Sequence, residues 1–189
     1  MKNYVIIGNS AAGIGAAEAI RKNDKECKIT IIASEPHHTY SRPLISYLLL
    51  GKTDEERMKY RSDSFYADND IDVKLGEVVT AVDKDSKEVV LASGEKVSYD
   101  KLLVATGSSP FVPPMKGLDR VKHTCSFMTL DDAHKLRDMI SEVTAEKGSK
   151  PKVLIIGAGL IGLKCAEGIS KDTEISLVDL APRPRQGLQ

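Results

Sequence analysis

At 189 residues the sequence has room for one complete domain and part of a second, with a sizeable buried core. Its 27 Lys+Arg balance 27 Asp+Glu and no basic block stands out, which removes the electrostatic drive towards nucleic acid or an anionic membrane and points to small-molecule chemistry. Three widely spaced cysteines, Cys27, Cys125 and Cys165, exclude a disulfide framework and a zinc knuckle, and a reducing cytoplasm is the simplest setting for them.

In chain order, Val5 to Ile7 form a short buried strand, Ala12 to Ile20 are small and helix-favouring, and Ile29, Ile31 and Ile32 make a second strand: a βαβ unit. Gly8, Asn9, Ser10 and Glu18 interrupt the N-terminal apolar stretch, so it does not read as a signal peptide, and no apolar run approaches the roughly 20 residues that cross a bilayer. Pro43 can open a helix whose apolar residues Leu44, Tyr47, Leu48 and Leu50 recur at helical spacing up to Gly51. Further helix starts are predicted at Thr53 with Asp54, Glu55 and Glu56, and at Ser62 with Asp63.

From Ile71 to Tyr99 the period changes to that of strands. Val73 and Leu75, Val78 and Val79, Val89 to Leu91, and Val97 and Tyr99 are separated by the turn signals Lys84 to Lys87 and Ser93-Gly94, which predicts a small antiparallel meander. Leu102 to Ala105 is one more buried strand, ended by Thr106-Gly107-Ser108-Ser109-Pro110. Pro110, Pro113 and Pro114 place a domain boundary near residue 112. Thr129 with Asp132 makes a capping box for a helix to about Ala145, and a second strand, glycine turn, helix and strand follows from Val153 to Val178.

The two glycine turns carry the chemistry. Gly157, Gly159 and Gly162 match G-x-G-x-x-G after a strand and at the opening of a helix, with Leu160 and Ile161 inside the turn. The first glycine makes the turn, the second lets a pyrophosphate approach the backbone, and the third allows close helix–strand packing, so that helix-terminal N–H groups face an anion. Asp179, 17 positions beyond Gly162, is the expected ribose acceptor, and its charge would repel a 2′-phosphate, favouring NAD(H) over NADP(H). In the first turn Gly8 and Gly13 hold the outer positions, Ser10 takes the middle one, Ala11 and Ala12 lie between, and Glu35 supplies the acid 22 positions after Gly13. The two turns lie 149 residues apart. The bland alternative is that these glycines serve only helix–sheet packing in a ligand-free fold.

Together with Tyr40-Ser41-Arg42-Pro43, the strand end Ala105-Thr106-Gly107 and the run Val178 to Arg183, these turns resemble the FAD-dependent pyridine nucleotide-disulfide oxidoreductases over essentially the whole chain. The subgroup most similar is that of NADH oxidase, rubredoxin reductase and nitrite reductase flavoproteins. The resemblance implies an α/β fold: a Rossmann-like FAD-binding domain with a small antiparallel β-meander over 1–112, and a partial Rossmann-like NAD-binding domain over 113–189. It implies FAD on the first unit and NAD(H) on the second. Glu35 would bind the adenosine ribose, Ser41, Arg42 and Pro43 would lie along the FAD, Val79 would sit near the adenine, and Ala105, Thr106 and Gly107 would pass the flavin phosphates. The implied reaction is hydride transfer from NADH to flavin, which then passes electrons to a small redox protein, an iron–sulfur centre or oxygen. A non-catalytic flavin- or nucleotide-binding module is the alternative from another class. Relatives continue well past this length, so the chain reads as a truncated enzyme with impaired turnover, and a homodimer is an option for the full-length form.

Three departures from the family pattern matter. Leu50 stands before Gly51 where the cysteine-dependent members carry a redox cysteine, which argues against disulfide chemistry. Tyr47 follows Ser46 where ferredoxin reductase-like members have lysine, and it either covers the flavin or packs the helix. Lys164 stands where many relatives have glutamate near the nicotinamide, and it either reaches the cofactor or lies on a solvated helix face. No metal site is expected. His37 and His38 would point apart, and His123 with Cys125 on one strand face offers too few ligands. Cys165 reads as a buried structural thiol.

Overall fold

The structure is a computed structural model that describes residues 1–180. The residues Ala181-Pro182-Arg183 of the family-like run lie outside the described ones. In chain order the elements are β1 (Asn3–Ile7), α1 (Ala11–Asn23), β2 (Lys28–Ala33), a 3-10 turn (Arg42–Leu44), α2 (Ile45–Leu49), α3 (Glu55–Met58), α4 (Phe65–Asp68) and β3 (Ile71–Leu75). Then come β4 (Val79–Asp83), β5 (Glu88–Leu91), β6 (Lys96–Ser98), β7 (Lys101–Val104), a second 3-10 turn (Leu118–Arg120), α5 (Leu130–Lys147), β8 (Lys152–Ile156), α6 (Leu160–Ile169) and β9 (Glu174–Val178). The chain divides into two compact units. The first takes Met1–Ser41 and Lys59–Ser108, and the second takes Arg42–Met58 and the chain from Ser109 on.

In the first unit a parallel sheet of order β3-β2-β1-β7 separates two apolar cores. Because successive side chains of a strand point to opposite faces, Ile6, Ile29 and Ile31 pack on one side with Ile14 and Ala17 of α1, Phe65, Tyr66 and Ile71. Val5, Ile7 and Ile32 pack on the other with Val89 and Leu91 of β5. The centre of the sheet is thus covered on both faces, which explains why β1 and β2 read as nearly continuous apolar runs rather than as alternating ones. The meander is a separate three-stranded antiparallel sheet of order β4-β5-β6, with a register shift between Val79 and Ala81.

Two sequence expectations need correction here. The Val73–Leu75 segment is not part of the meander: β3 runs parallel to β2, with Ile71 opposite Ile29 and buried beside Phe65 and Tyr66. Its apolar alternation fits either sheet, and the core side chain at Ile71 decides between them. Nor is Leu102 to Ala105 a buried strand. Among the described residues β7 pairs only with β1 and so forms the sheet edge, with Leu102 packed inward while Leu103 and Val104 are exposed.

The second unit is built on the parallel pair β8-β9. Leu136 of α5, Ile155 of β8, and Cys165 and Ile169 of α6 form its core, with Leu49 of α2 and Phe127 against them. The segment 42–58, which the sequence reading placed in the first domain, therefore belongs to this unit, because α2 packs on α5 and α6. Leu154 and Ile156, on the opposite face of β8, are more than half exposed. No strand forms at His123–Cys125, so the shared strand face considered for them does not exist.

Helix α5 ends its own first turn with side chains. Thr129 Oγ1 accepts from the Asp132 N–H at 3.0 Å, and the Asp132 carboxylate accepts from the Thr129 and Met128 N–H groups at 3.1 and 2.8 Å and from the Ser126 hydroxyl at 2.9 Å. Thr129→Ala should cost about 1 kcal/mol, and Asp132→Ala, which strands more donors, about 2 kcal/mol. Equal losses for the two variants in urea unfolding would contradict that ranking.

Candidate functional site

Two strand–turn–helix corners repeat at atomic detail. The Gly8 N–H donates to Ile32 O at 2.8 Å and the Gly157 N–H to Val178 O at 2.8 Å, so each turn begins by extending a parallel ladder. The Ile14 N–H donates to Ser10 O and the Leu163 N–H to Gly159 O, both at 3.0 Å, which closes the first turn of α1 and of α6. Ser10 and Gly159 are the extended N-cap residues. A Cβ at Gly13 would lie 2.0 Å from Gly8 O, and one at Gly162 would lie 1.9 Å from Gly157 O. Each helix therefore approaches its strand turn too closely for any side chain.

What the corners leave open distinguishes them from α5. The first N–H groups of any helix lack partners within it. In α5, Thr129 and Asp132 take up that role, whereas α1 and α6 have no side-chain cap bond and no acidic residue in the first turn. The N–H groups of Ala11, Ala12 and Gly13, and of Leu160, Ile161 and Gly162, thus sit at positive helix ends with no acidic residue in the helix's own first turn to compete with an anion. Ala11, Ala12, Leu160 and Ile161 are all exposed. The residues present fit a diphosphate on each corner.

The structure joins the strand end 105–107 to the first corner. The Ala105 N–H donates to Ile7 O at 2.8 Å, and the Ala105 carbonyl lies 2.2 Å from where a Gly8 Cβ would be; Gly8 itself has φ +120°. Thr106 and Gly107 follow directly and are exposed. A part-buried network that the sequence reading missed holds the same corner. The Tyr66 hydroxyl donates to Asn9 Oδ1 at 2.9 Å and accepts from the Thr39 N–H at 3.1 Å, and Asn9 Nδ2 donates to His37 O at 3.4 Å. Burial pushes the Tyr66 phenol above its ordinary pKa. A tyrosine in an apolar cluster carries no sequence signal for this role.

Each acid follows its strand, but the two are held differently. Asp179, exposed at the end of β9, accepts from the Ala158 N–H at 2.6 Å and so grips the second glycine turn. Glu35, two residues beyond β2, accepts from the Tyr40 hydroxyl at 2.6 Å.

The remaining sequence candidates are placed as follows. Val79 opens β4 opposite Leu91 and packs on the core of Val5, Ile7 and Ile32. Ser41 ends the first unit's opening segment, half-buried, while Pro43 is exposed in the 3-10 turn. Arg42 Nη1 donates to Met128 O at 3.2 Å, which ties the start of that turn to the segment before α5. The structure brings Tyr47 and Lys164 together. Lys164 Nζ lies 3.5 Å from the Tyr47 hydroxyl and 4.9 Å from its ring centre, and it donates to Glu167 at 2.7 Å. The Glu167 carboxylate raises the ammonium above its ordinary pKa and is itself lowered. Leu50 does precede Gly51 at the end of α2. Cys165 is buried in the second unit's core, where desolvation, with a smaller contribution from Cys125, pushes its thiol up to about 11. Among the described residues no cluster of His, Cys, Asp and Glu could hold a metal, and no helix is long and apolar enough to cross a membrane.

Two strand–glycine turn–helix corners, each followed by an acid one strand later, define an α/β protein with tandem dinucleotide folds. The family model described as pyridine nucleotide-disulphide oxidoreductase matches residues 2–189, and the chain belongs to that family. It is 36% identical over 185 residues to the NADH-dependent phenylglyoxylate dehydrogenase subunit epsilon of Aromatoleum evansii, covering 97% of this chain and 42% of that protein. It is also 36% identical over 183 residues to the nitrite reductase [NAD(P)H] of Bacillus subtilis (strain 168), covering 96% and 22%. Among solved structures, the covalent putidaredoxin reductase–putidaredoxin complex superimposes with a TM-score of 0.83 at 28% identity, covering 98% of this chain and 44% of that one. The chain thus spans less than half the length of each of these proteins.

Proposed function

We propose that the chain is the nucleotide-binding part of an FAD-dependent NADH oxidoreductase that delivers electrons to a small redox protein or an iron–sulfur acceptor without a redox-active cysteine. The observation that carries this reading is the matched pair of open corners, with Gly13 against Gly8 and Gly162 against Gly157. A single corner would fit one nucleotide; two fit a donor and an acceptor. When bound, a nicotinamide and a flavin supply the hydride chemistry, and the protein's share is position and electrostatics.

In the first unit Gly8 to Gly13 and Ala105 to Gly107 would hold the FAD diphosphate, Glu35 the adenosine ribose, and Val79 would pack near the adenine. Ser41, which ends the first segment of that unit, would run along the same cofactor. In the second unit Gly157 to Gly162 would hold the NADH diphosphate and Asp179 its ribose. Leu50 before Gly51 supports direct electron delivery, since no thiol stands at the place where cysteine-dependent relatives relay electrons. The acceptor class draws support from the putidaredoxin reductase, which was solved joined to its redox protein.

An absorbance titration tests the reading. The purified chain with FAD should show bound flavin that NADH bleaches without oxygen, and reoxidation should quicken when an iron–sulfur protein is added. Bound flavin that ignores NADH would instead mark a binding module. Asp179 carries a second prediction. Because its carboxylate would accept the ribose hydroxyls and repel a 2′-phosphate, Asp179→Asn should narrow the preference for NADH over NADPH by about tenfold, the equivalent of about 1.4 kcal/mol. Unchanged relative affinities of the two coenzymes would remove Asp179 from that role.

A further inference from the structure

Glu35 and Asp179 follow equivalent strands, yet their carboxylates are held by unlike donors. Asp179 is gripped by a backbone N–H of its own glycine turn. Glu35 is gripped by a side chain, the Tyr40 hydroxyl at 2.6 Å, and a side chain can orient another group only if it is itself fixed.

Tyr40 is fixed on several sides. Its backbone forms an antiparallel bridge with Lys59. The preceding residue, Thr39, is 1% exposed; its carbonyl accepts from the Tyr60 N–H at 2.9 Å and its N–H donates to the buried Tyr66 hydroxyl at 3.1 Å. The Tyr40 ring stands edge-on to His37 with centroids 6.3 Å apart. The His37 carbonyl in turn accepts from Asn9 of the first glycine turn. The placement of the phenol is therefore mechanically continuous with the corner that would cradle the diphosphate.

A phenol O–H donated to an ionised carboxylate is a charge-assisted bond, short and directional. A carboxylate offers about four acceptor positions, so one phenol orients it without saturating it. We propose that Tyr40 is a positioning residue: it sets the Glu35 carboxylate in the orientation that receives the ribose hydroxyls of the adenosine half of FAD. This rests on reading the first unit as the FAD site.

The test is a double-mutant cycle on the whole chain, with FAD affinity read from flavin fluorescence rather than turnover and with thermal melts as the check on folding. Tyr40→Phe should weaken FAD about tenfold, and Glu35→Gln at least as much. In the Glu35→Gln background, Tyr40→Phe should change affinity by less than about twofold, because the group it acts through is gone. If Tyr40→Phe does not fold, Tyr40→His, which keeps a polar ring edge too short to reach Glu35, takes its place in the cycle. An equal loss in both backgrounds would make Tyr40 a structural residue and overturn the proposal. So would a flat response to Tyr40→Phe in a chain whose FAD affinity still responds to Glu35→Gln. Failure of the underlying reading looks different, as absence of FAD binding by the unaltered chain or indifference to Glu35→Gln, and it takes the proposal with it.

Discussion

Gly13→Ala is expected to abolish FAD binding and to destabilise the first unit by about 3 kcal/mol or more, while Gly162→Ala should spare FAD and abolish NADH binding. The added Cβ at Gly13 would stand 2.0 Å from Gly8 O and 3.0 Å from Gly8 C. Those are backbone atoms at the end of the central strand β1, so no flexible side chain can move aside. Gly8 cannot retreat either, because it already abuts the Ala105 carbonyl on its other side and sits at φ +120°, a conformation that side-chain-bearing residues rarely adopt. The helix must then lift away from the strand, and its N-terminal N–H groups lose the distance at which they can hold a phosphate. At Gly162 the clash is 1.9 Å from Gly157 O, and it falls on the other unit. Co-purified flavin and a melting temperature equal to wild type in Gly13→Ala would refute the close-approach argument. The Gly162→Ala chain, titrated with both nucleotides, shows whether the two corners act separately.

Arg21→Met should also be damaging, at about 3 kcal/mol, although Arg21 touches no candidate ligand residue. Its side chain is 11% exposed and donates to four main-chain carbonyls: Asn69 O at 2.8 Å, Lys25 O at 3.0 Å, Cys27 O at 2.9 Å and Asp70 O at 2.9 Å. It thereby ties the end of α1 to the start of β2 and to the turn before β3. Removing the guanidinium leaves a set of part-buried acceptors unpaired at once. Arg21→Lys should rescue little, since one ammonium cannot span a fork of this width. The ion pair with Asp70 adds almost nothing, because that carboxylate is 95% exposed and 3.7 Å away, so Asp70→Asn should stay within about 0.5 kcal/mol of wild type. A loss below about 1 kcal/mol for Arg21→Met in denaturant unfolding would show that water replaces the guanidinium adequately.

Arg21 also marks where sequence reading stops. An arginine in the last turn of a helix looks like a solvated charge favourable to the helix dipole, and only the return of the chain at Asn69 and Asp70 turns it into a buried staple. The same limit applies to β3, whose alternation announces a strand but not its partner, and to β7, whose apolar run hides its place at the sheet edge. Segment 42–58 could not be allotted to the second unit before α2 was seen against α5 and α6, a contact made across more than 70 residues of chain. Local signals fared better because their physics is local. The two glycine turns, the Thr129–Asp132 capping box and the hairpin turns of the meander each involve atoms only a few residues apart. At the candidate site, spacing places the glycines at the two strand–helix turns and each acid just after the following strand, as the structure has them. The donors that hold those acids, Tyr40 and the Ala158 N–H, were not readable in this way, because spacing says nothing of which neighbour turns inward.

The uncapped first turns of α1 and α6 bear on how nucleotide affinity should be measured. A positive helix end without its own carboxylate takes up whatever anion the solution offers, so inorganic phosphate or sulfate in a buffer competes with the diphosphate of either cofactor. Titrations in phosphate will therefore understate both affinities relative to those in a zwitterionic buffer at equal ionic strength, and the deficit should grow in proportion to phosphate concentration once the corners begin to fill.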